Sequence, residues 1–139
     1  WWGGPALADD SGLFVDALDG APGVHSARYG GPGTNDRMNR EKLLASMKGI
    51  PTDRRTARFS CALTLARPDA IVAEGFGSLE GRIHDREIGD HGFGYDSIVW
   101  LDDRRCTFAQ MPADEKNAIS HRRRALDDLL GKLREKEFA

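Results

Sequence analysis

Two carboxylates stand side by side at Asp9 and Asp10, in a stretch ALADDSG that runs from an apolar approach into a small Ser11-Gly12 pair. On a regular strand, neighbouring side chains point to opposite faces. A pair in mid-strand would send one bare charge into a core, at high cost. The spacing therefore predicts that a strand covering residues 5–8 ends here and the chain turns. Carboxylates at the carboxyl edge of a sheet suit a hard cation such as Mg²⁺, or the activation of water. Asp10 or Ser11 equally suits the cap of a turn or helix, and spacing alone does not choose.

Two further groups of residues invite chemistry. In GFGYD (92–96), glycines flank an aromatic and let backbone approach a ligand closely. Phe93 or Tyr95 can stack on a planar base, and Asp96 can accept hydrogen bonds from a ring N–H or amine, or act as a second acid. The same pattern also fits a strand-entry turn with core aromatics. In EKNAISHRRRAL (115–126), Lys116, His121 and Arg122 to Arg124 make a dense cationic group. On one continuous helix Lys116 and His121 would lie about 140° apart, so a single helix would not aim both at one ligand. Ser120 is a good N-cap. A break there puts His121 and Arg122 in the first turn of a new helix, where N–H groups and positive side chains suit phosphate. A solvated basic face is the plain alternative, and an RNA-binding patch a weaker one, since aromatics are not interleaved.

Together these three groups offer carboxylates for a metal, a Gly-aromatic loop for a base and cations for a polyphosphate. That combination fits a nucleoside triphosphate.

The elements that must position them follow from pattern. Residues 20–35, rich in Gly and Pro, read as a loop with tight turns. A helix follows, capped by Thr34 or Asn35, with Leu43, Leu44 and Met47 as its apolar stripe and Gly49 and Pro51 as its stop. Residues 57–66 alternate, placing Phe59, Cys61, Leu63 and Leu65 on one strand face, and 67–70 turn into a returning strand at 71–83. The glycines of that second strand suggest bends or bulges. Residues 90–100 read as a Gly-rich turn into a strand. From Pro112 the chain is helical, and Ala125, Leu126, Leu129, Leu130 and Leu133 form a stripe for packing on a sheet. The mixture predicts an α/β or α+β fold with a mixed sheet.

The chain has 139 residues, which suits a single domain (1–139), and a formal net charge of −2. That charge argues against a duplex nucleic-acid or anionic-membrane partner. No apolar run approaches the roughly 20 residues that span a bilayer, and no secretory signal precedes the fold. Cys61 and Cys106 read as reduced thiols in a cytoplasmic setting. The start, WWGGP, has no initiator Met and places two Trp before a Gly-Gly-Pro turn.

The stretches ALADDSGLFVDALDGAPGVHSARYGG, GFGYD and EKNAISHR, in that order, closely resemble the inosine triphosphate pyrophosphatase family. The resemblance runs from Pro5 to about Leu133. It implies hydrolysis of non-standard purine nucleoside triphosphates (ITP, dITP, XTP) to the monophosphate and pyrophosphate, with Mg²⁺. It also implies an α/β fold with a central mixed sheet flanked by helices, a nucleotide cleft between two lobes, and a homodimer. By motif, Asp10 resembles the family's general base and metal carboxylate, with Asp9 beside it as a possible metal ligand through water. Ser11 would touch the substrate. Phe93, Gly94, Tyr95 and Asp96 would form the base-recognition loop, and Lys116, His121 and Arg122 would hold base and phosphates.

The chain departs from the family's pattern in several places. The family's N-terminal strand and helix, with a phosphate loop of roughly Ser/Thr-x-x-Asn-x-x-Lys and a metal-site Glu, have no counterpart in residues 1–5. The expectation is weak nucleotide binding and slow hydrolysis, and the alternative a nucleotide-binding or dimerisation fragment of such an enzyme. Ser97, Arg123 and His25 stand where the family commonly has Pro, Gly and Tyr.

Overall fold

The computed structural model describes residues 3–138; the paired Trp1 and Trp2 lie outside them. Six strands form one sheet in the order β2-β1-β3-β4-β5-β6. They are β1 (Ala6–Val15), β2 (Pro22–Gly23), β3 (Thr56–Arg67), β4 (Ala70–Ile83), β5 (Val99–Leu101) and β6 (Cys106–Thr107). The helices are α1 (Asp36–Ser46), α2 (Ala113–Ile119) and α3 (His121–Phe138). The α/β class is as expected. Each of the five pairings is antiparallel, where the sequence suggested a mixed sheet. For β3 and β4 the tight turn permits nothing else, because a parallel neighbour needs a crossover of roughly a dozen residues.

The strand bearing the carboxylates does not end at Asp10. β1 runs on to Val15, and Asp9 and Asp10 sit mid-strand opposite Leu63 and Ala62. The premise of a core under both faces fails here: residues 6–10 are exposed, and burial begins only further along, at Leu13 and Val15. Among the described residues, β2 pairs with β1 only at Leu13 and Phe14, so the stretch Ala6–Gly12 has β3 on one edge and an open edge on the other.

Two apolar clusters fill the fold. The larger gathers Leu13, Val15, Phe59, Ile83, Ile98 and Phe108 among others; the smaller joins Cys61, Leu63 and Ala73 to Ala125 and Leu129 of α3. Within the expected leucine stripe, the i, i+4 pair Ala125 and Leu129 is buried, with Leu133 packed beside it. Leu126 and Leu130 remain more than a third exposed. The glycines of β4 are neither bends nor bulges: the register shift falls at Leu65/Ala66 instead. Gly75 and Gly77 are where α3 lies directly on the sheet. A Cβ on Gly77 would sit 2.3 Å from the Ala125 nitrogen and 2.4 Å from the His121 carbonyl oxygen. One on Gly75 would sit 2.3 Å from the Ala125 carbonyl oxygen.

Local capping behaves as the pattern predicts. Asn35 caps α1 through a bond from the Met38 N–H to its Oδ1, 2.9 Å. The helical region breaks at Ser120, whose Oγ accepts the Arg123 N–H at 3.0 Å and opens α3.

Candidate active site

A cleft of about 450 Å³ lies between β1, the GFGYD loop and the α2–α3 junction, within the usual size of a small-molecule site. Leu13, Phe59 and Phe108 give it an apolar floor, and Ser11, Phe93, Gly94, Tyr95, Asp96, Lys116, His121 and Arg122 all line it. The structure therefore brings eight of the ten sequence-derived site residues to one place. The break at Ser120 is what lets Lys116 and His121 face the same cavity from two helices.

The loop does not use its aromatics alike. Phe93 is 69 % exposed at the cleft. Tyr95 is 6 % exposed, and its hydroxyl donates to the Ser26 carbonyl at 2.6 Å. Tyr95 is thus a buried strut and Phe93 the ring left free to stack. Burial pushes the Tyr95 hydroxyl well above its ordinary range. Ser26, which no sequence pattern marked, also accepts the Leu13 N–H at 2.9 Å and so ties this loop to β1.

Asp96 and Lys116 are partners, 2.8 Å apart, with side chains 9 % and 13 % exposed. Asp96 also accepts the Phe93 N–H at 3.2 Å, and the Lys116 ammonium lies 4.6 Å from the centre of the Phe108 ring. Asp96 orders the loop, and Lys116 delivers its charge to the cleft wall already neutralised. Gly92 is compelled by this pair: its φ is +107°, and a Cβ there would come within 2.3 Å of both Asp96 Oδ2 and Lys116 Nζ.

His121 stacks on Phe59, centroids 5.0 Å apart at 17°, with its Nδ1 buried and without a partner among the described residues. Burial, followed by the charge of Arg122, pushes its pKa down to about 4, with Asp9 opposing. His121 is therefore a neutral ring at neutral pH, not the cation expected for phosphate. Below the unfolded value of 6.5, the unfolded chain binds a proton that the folded chain resists. Stability is then lost as the pH falls from there through about 4. Urea titrations are expected to show stability falling across that window, and His121→Phe, which keeps an aromatic on Phe59, to make the fall shallower.

Asp9 and Asp10 face opposite ways. The Asp9 carboxylate accepts from Arg122 Nε at 2.5 Å and from Ser11 Oγ at 2.8 Å. Burial alone would raise its pKa, but the bonds from Arg122 and Ser11 outweigh it and hold the carboxyl below its ordinary value. Asp10 opens on a second groove, with Phe14, Val24 and Phe76, on the other face of the sheet. Ser11 and Gly12 line both grooves and connect them. No cluster of three or more His, Cys, Asp or Glu side chains arranged for a metal occurs among the described residues. Asp10 alone fits as a free, hard oxygen donor, and Asp9 is committed to Arg122. The three consecutive arginines diverge: Arg122 to Asp9, Arg123 to Asp127 and Arg124 to the Ser78 carbonyl. They do not form a shared basic face.

The dITP/XTP pyrophosphatase of Listeria monocytogenes is 50 % identical over 123 residues, covering 88 % of this chain and 61 % of that protein. That of Photobacterium profundum is 46 % identical over 135 residues, covering 94 % and 68 %. The solved structure of the Staphylococcus aureus Ham1 protein superposes with a TM-score of 0.90 at 38 % identity, covering 97 % of this chain and 69 % of that one. The chain thus spans about three fifths of the Listeria relative's length. The profile of the Ham1 family matches residues 2–132, and the chain belongs to that family.

Proposed function

We propose that this chain carries the base-recognition site of a nucleoside triphosphate pyrophosphatase. It would release pyrophosphate from ITP, dITP or XTP and leave the monophosphate. The observation that carries this reading is the cleft itself, an apolar floor under the exposed Phe93 with a helix N-terminus at its wall. A purine ring fills such a space between Phe93 and the Phe59–His121 stack. The N–H groups of His121 and Arg122 at the start of α3, left over once Ser120 takes those of Arg123 and Arg124, suit the 6-oxo acceptor of hypoxanthine or xanthine. Adenine presents an amino donor there and would leave those donors unpaired, a basis for discrimination. From this seat the phosphates run over Ser11 into the second groove, towards Asp10. Asp10 then serves as the base that takes the proton of the attacking water, and Asp9 holds Arg122 at the lip. Asp10 would also hold Mg²⁺, which takes only one or two carboxylates and keeps its waters, and the ion would neutralise charge on the leaving pyrophosphate. The homodimer and a cytoplasmic setting belong to the same reading and rest on the family resemblance; the free state of Cys61 and Cys106 accords with the latter. No helix among the described residues is long and apolar enough to cross a membrane.

Pyrophosphate release from ITP with Mg²⁺ tests the proposal. Release is expected to be faster with ITP than with ATP. Asp10→Asn is expected to cut turnover by about 10²-fold or more while IMP, the monophosphate product, still binds. Unchanged turnover would remove Asp10 from its role.

A further inference from the structure

Helix α1 grips the loop that bears Phe93. Asp36 and Arg40 are one helical turn apart on α1, so their side chains share a face. Both reach the same residue of the GFGYD loop. The Gly94 N–H donates to Asp36 Oδ2 at 3.0 Å, and Arg40 Nη1 donates to the Gly94 carbonyl at 2.8 Å. One peptide group on each side of Gly94 is thereby fixed, and the first joins Phe93 to Gly94. Arg40 is itself held: its Nε pairs with Glu87, which also accepts from Ser97 Oγ at 3.0 Å. Arg40 is not among the residues lining the cleft.

The need for such a grip is visible in the loop. Gly92 and Gly94 have φ of +107° and +59°, and nothing lies within 4 Å of where a Gly94 Cβ would stand. The exposed Phe93 ring has little packing of its own to set its direction. Its position must come from the backbone, and the backbone is tied down by Asp96 on one side and by α1 on the other.

We propose that Arg40, with Asp36, is a positioning residue for base recognition: it fixes the Gly94 peptides and through them sets the Phe93 ring against the purine. The inference rests on the nucleotide reading above. It makes base affinity depend on a helix that the nucleotide does not touch through Arg40.

IMP binding measured by calorimetry tests this, in a cycle of wild type, Arg40→Ala, Phe93→Ala and the double variant. Arg40→Ala is expected to weaken IMP about tenfold, part of the ordinary worth of a base–aromatic stack. Amide exchange at Phe93 and Gly94 is expected to speed up. In the Phe93→Ala background the same change is expected to cost less than twofold, because the ring it positions is gone. Glu87→Gln, which removes the ion pair but leaves the bond to Gly94, is expected to stay within twofold of wild type. Should Arg40→Ala fail to fold, Arg40→Lys, which keeps the charge beside Glu87 but lacks the fork, enters the same cycle. Full additivity of the Arg40 and Phe93 losses, or wild-type affinity in the Arg40 variant, overturns the positioning role. A wild-type chain that binds no IMP overturns the nucleotide reading on which it rests.

Discussion

Asp96→Ala is expected to lower the free energy of unfolding by about 3 kcal/mol, because it strips the mostly buried Lys116 ammonium of its carboxylate partner. The loop loses a second restraint at the same time, since the Phe93 N–H gives up its acceptor. Urea midpoints read the loss directly. The complementary change, Lys116→Met, is expected to cost a similar amount for the same reason, with Asp96 the stranded partner. The double variant Asp96→Ala/Lys116→Met is expected to recover much of the stability, since replacing both members of a buried pair with apolar groups is often nearly neutral. A single variant within about 1 kcal/mol of wild type would mean that water already screens the pair.

The second large effect lies in the seam between β4 and α3. Gly77→Ala places a methyl group against two backbone atoms of α3, neither of which can rotate away as a side-chain tip can. The helix must lift off the sheet. The expected cost is about 3 kcal/mol, at the upper end of ordinary overpacking. IMP affinity is expected to fall with it, because His121 and Arg122 ride on the same turn. Gly131→Ala provides the contrast within α3. Nothing stands within 4 Å of its added methyl, and removal of a helical glycine is expected to raise stability by about 0.8 kcal/mol. Gly77→Ala unfolding at the wild-type midpoint would refute main-chain contact at the seam.

What was legible in the sequence was local. Asn35 and Ser120 declare their helix starts within three residues of themselves, and both caps form. The alternation of Phe59, Cys61 and Leu63 reports burial that the strand itself carries. What was not legible depends on distant partners. Asp9 and Asp10 suggested a strand end because both faces were assumed to be covered; the exposure of this stretch is decided elsewhere in the fold. Tyr95 reads like Phe93 until Ser26, 69 residues away, claims its hydroxyl. The glycines of β4 looked like kinks because the approaching helix lies about 50 residues further on, where no strand pattern records it. Arg40 gave no signal at all: on an exposed helix face an arginine is ordinary, and only the loop across from it makes it a grip.

The open edge of β1 bears on how copies of this chain behave in concentrated solution. An unpaired strand is a template for another strand, and among the described residues this one offers its backbone from Ala6 to Gly12. A second copy joining it antiparallel would bring its own Asp9 and Asp10 alongside the first pair, with one carboxylate projecting on each face. Cross-strand like charges repel. Asp10, the carboxylate not committed to Arg122, therefore also acts as a guard against ribbon-like assembly. That guard is electrostatic, so its reach shrinks with added salt, to about 3 Å at 1 M ionic strength, and crowding in strong salt is the condition under which the edge is least defended.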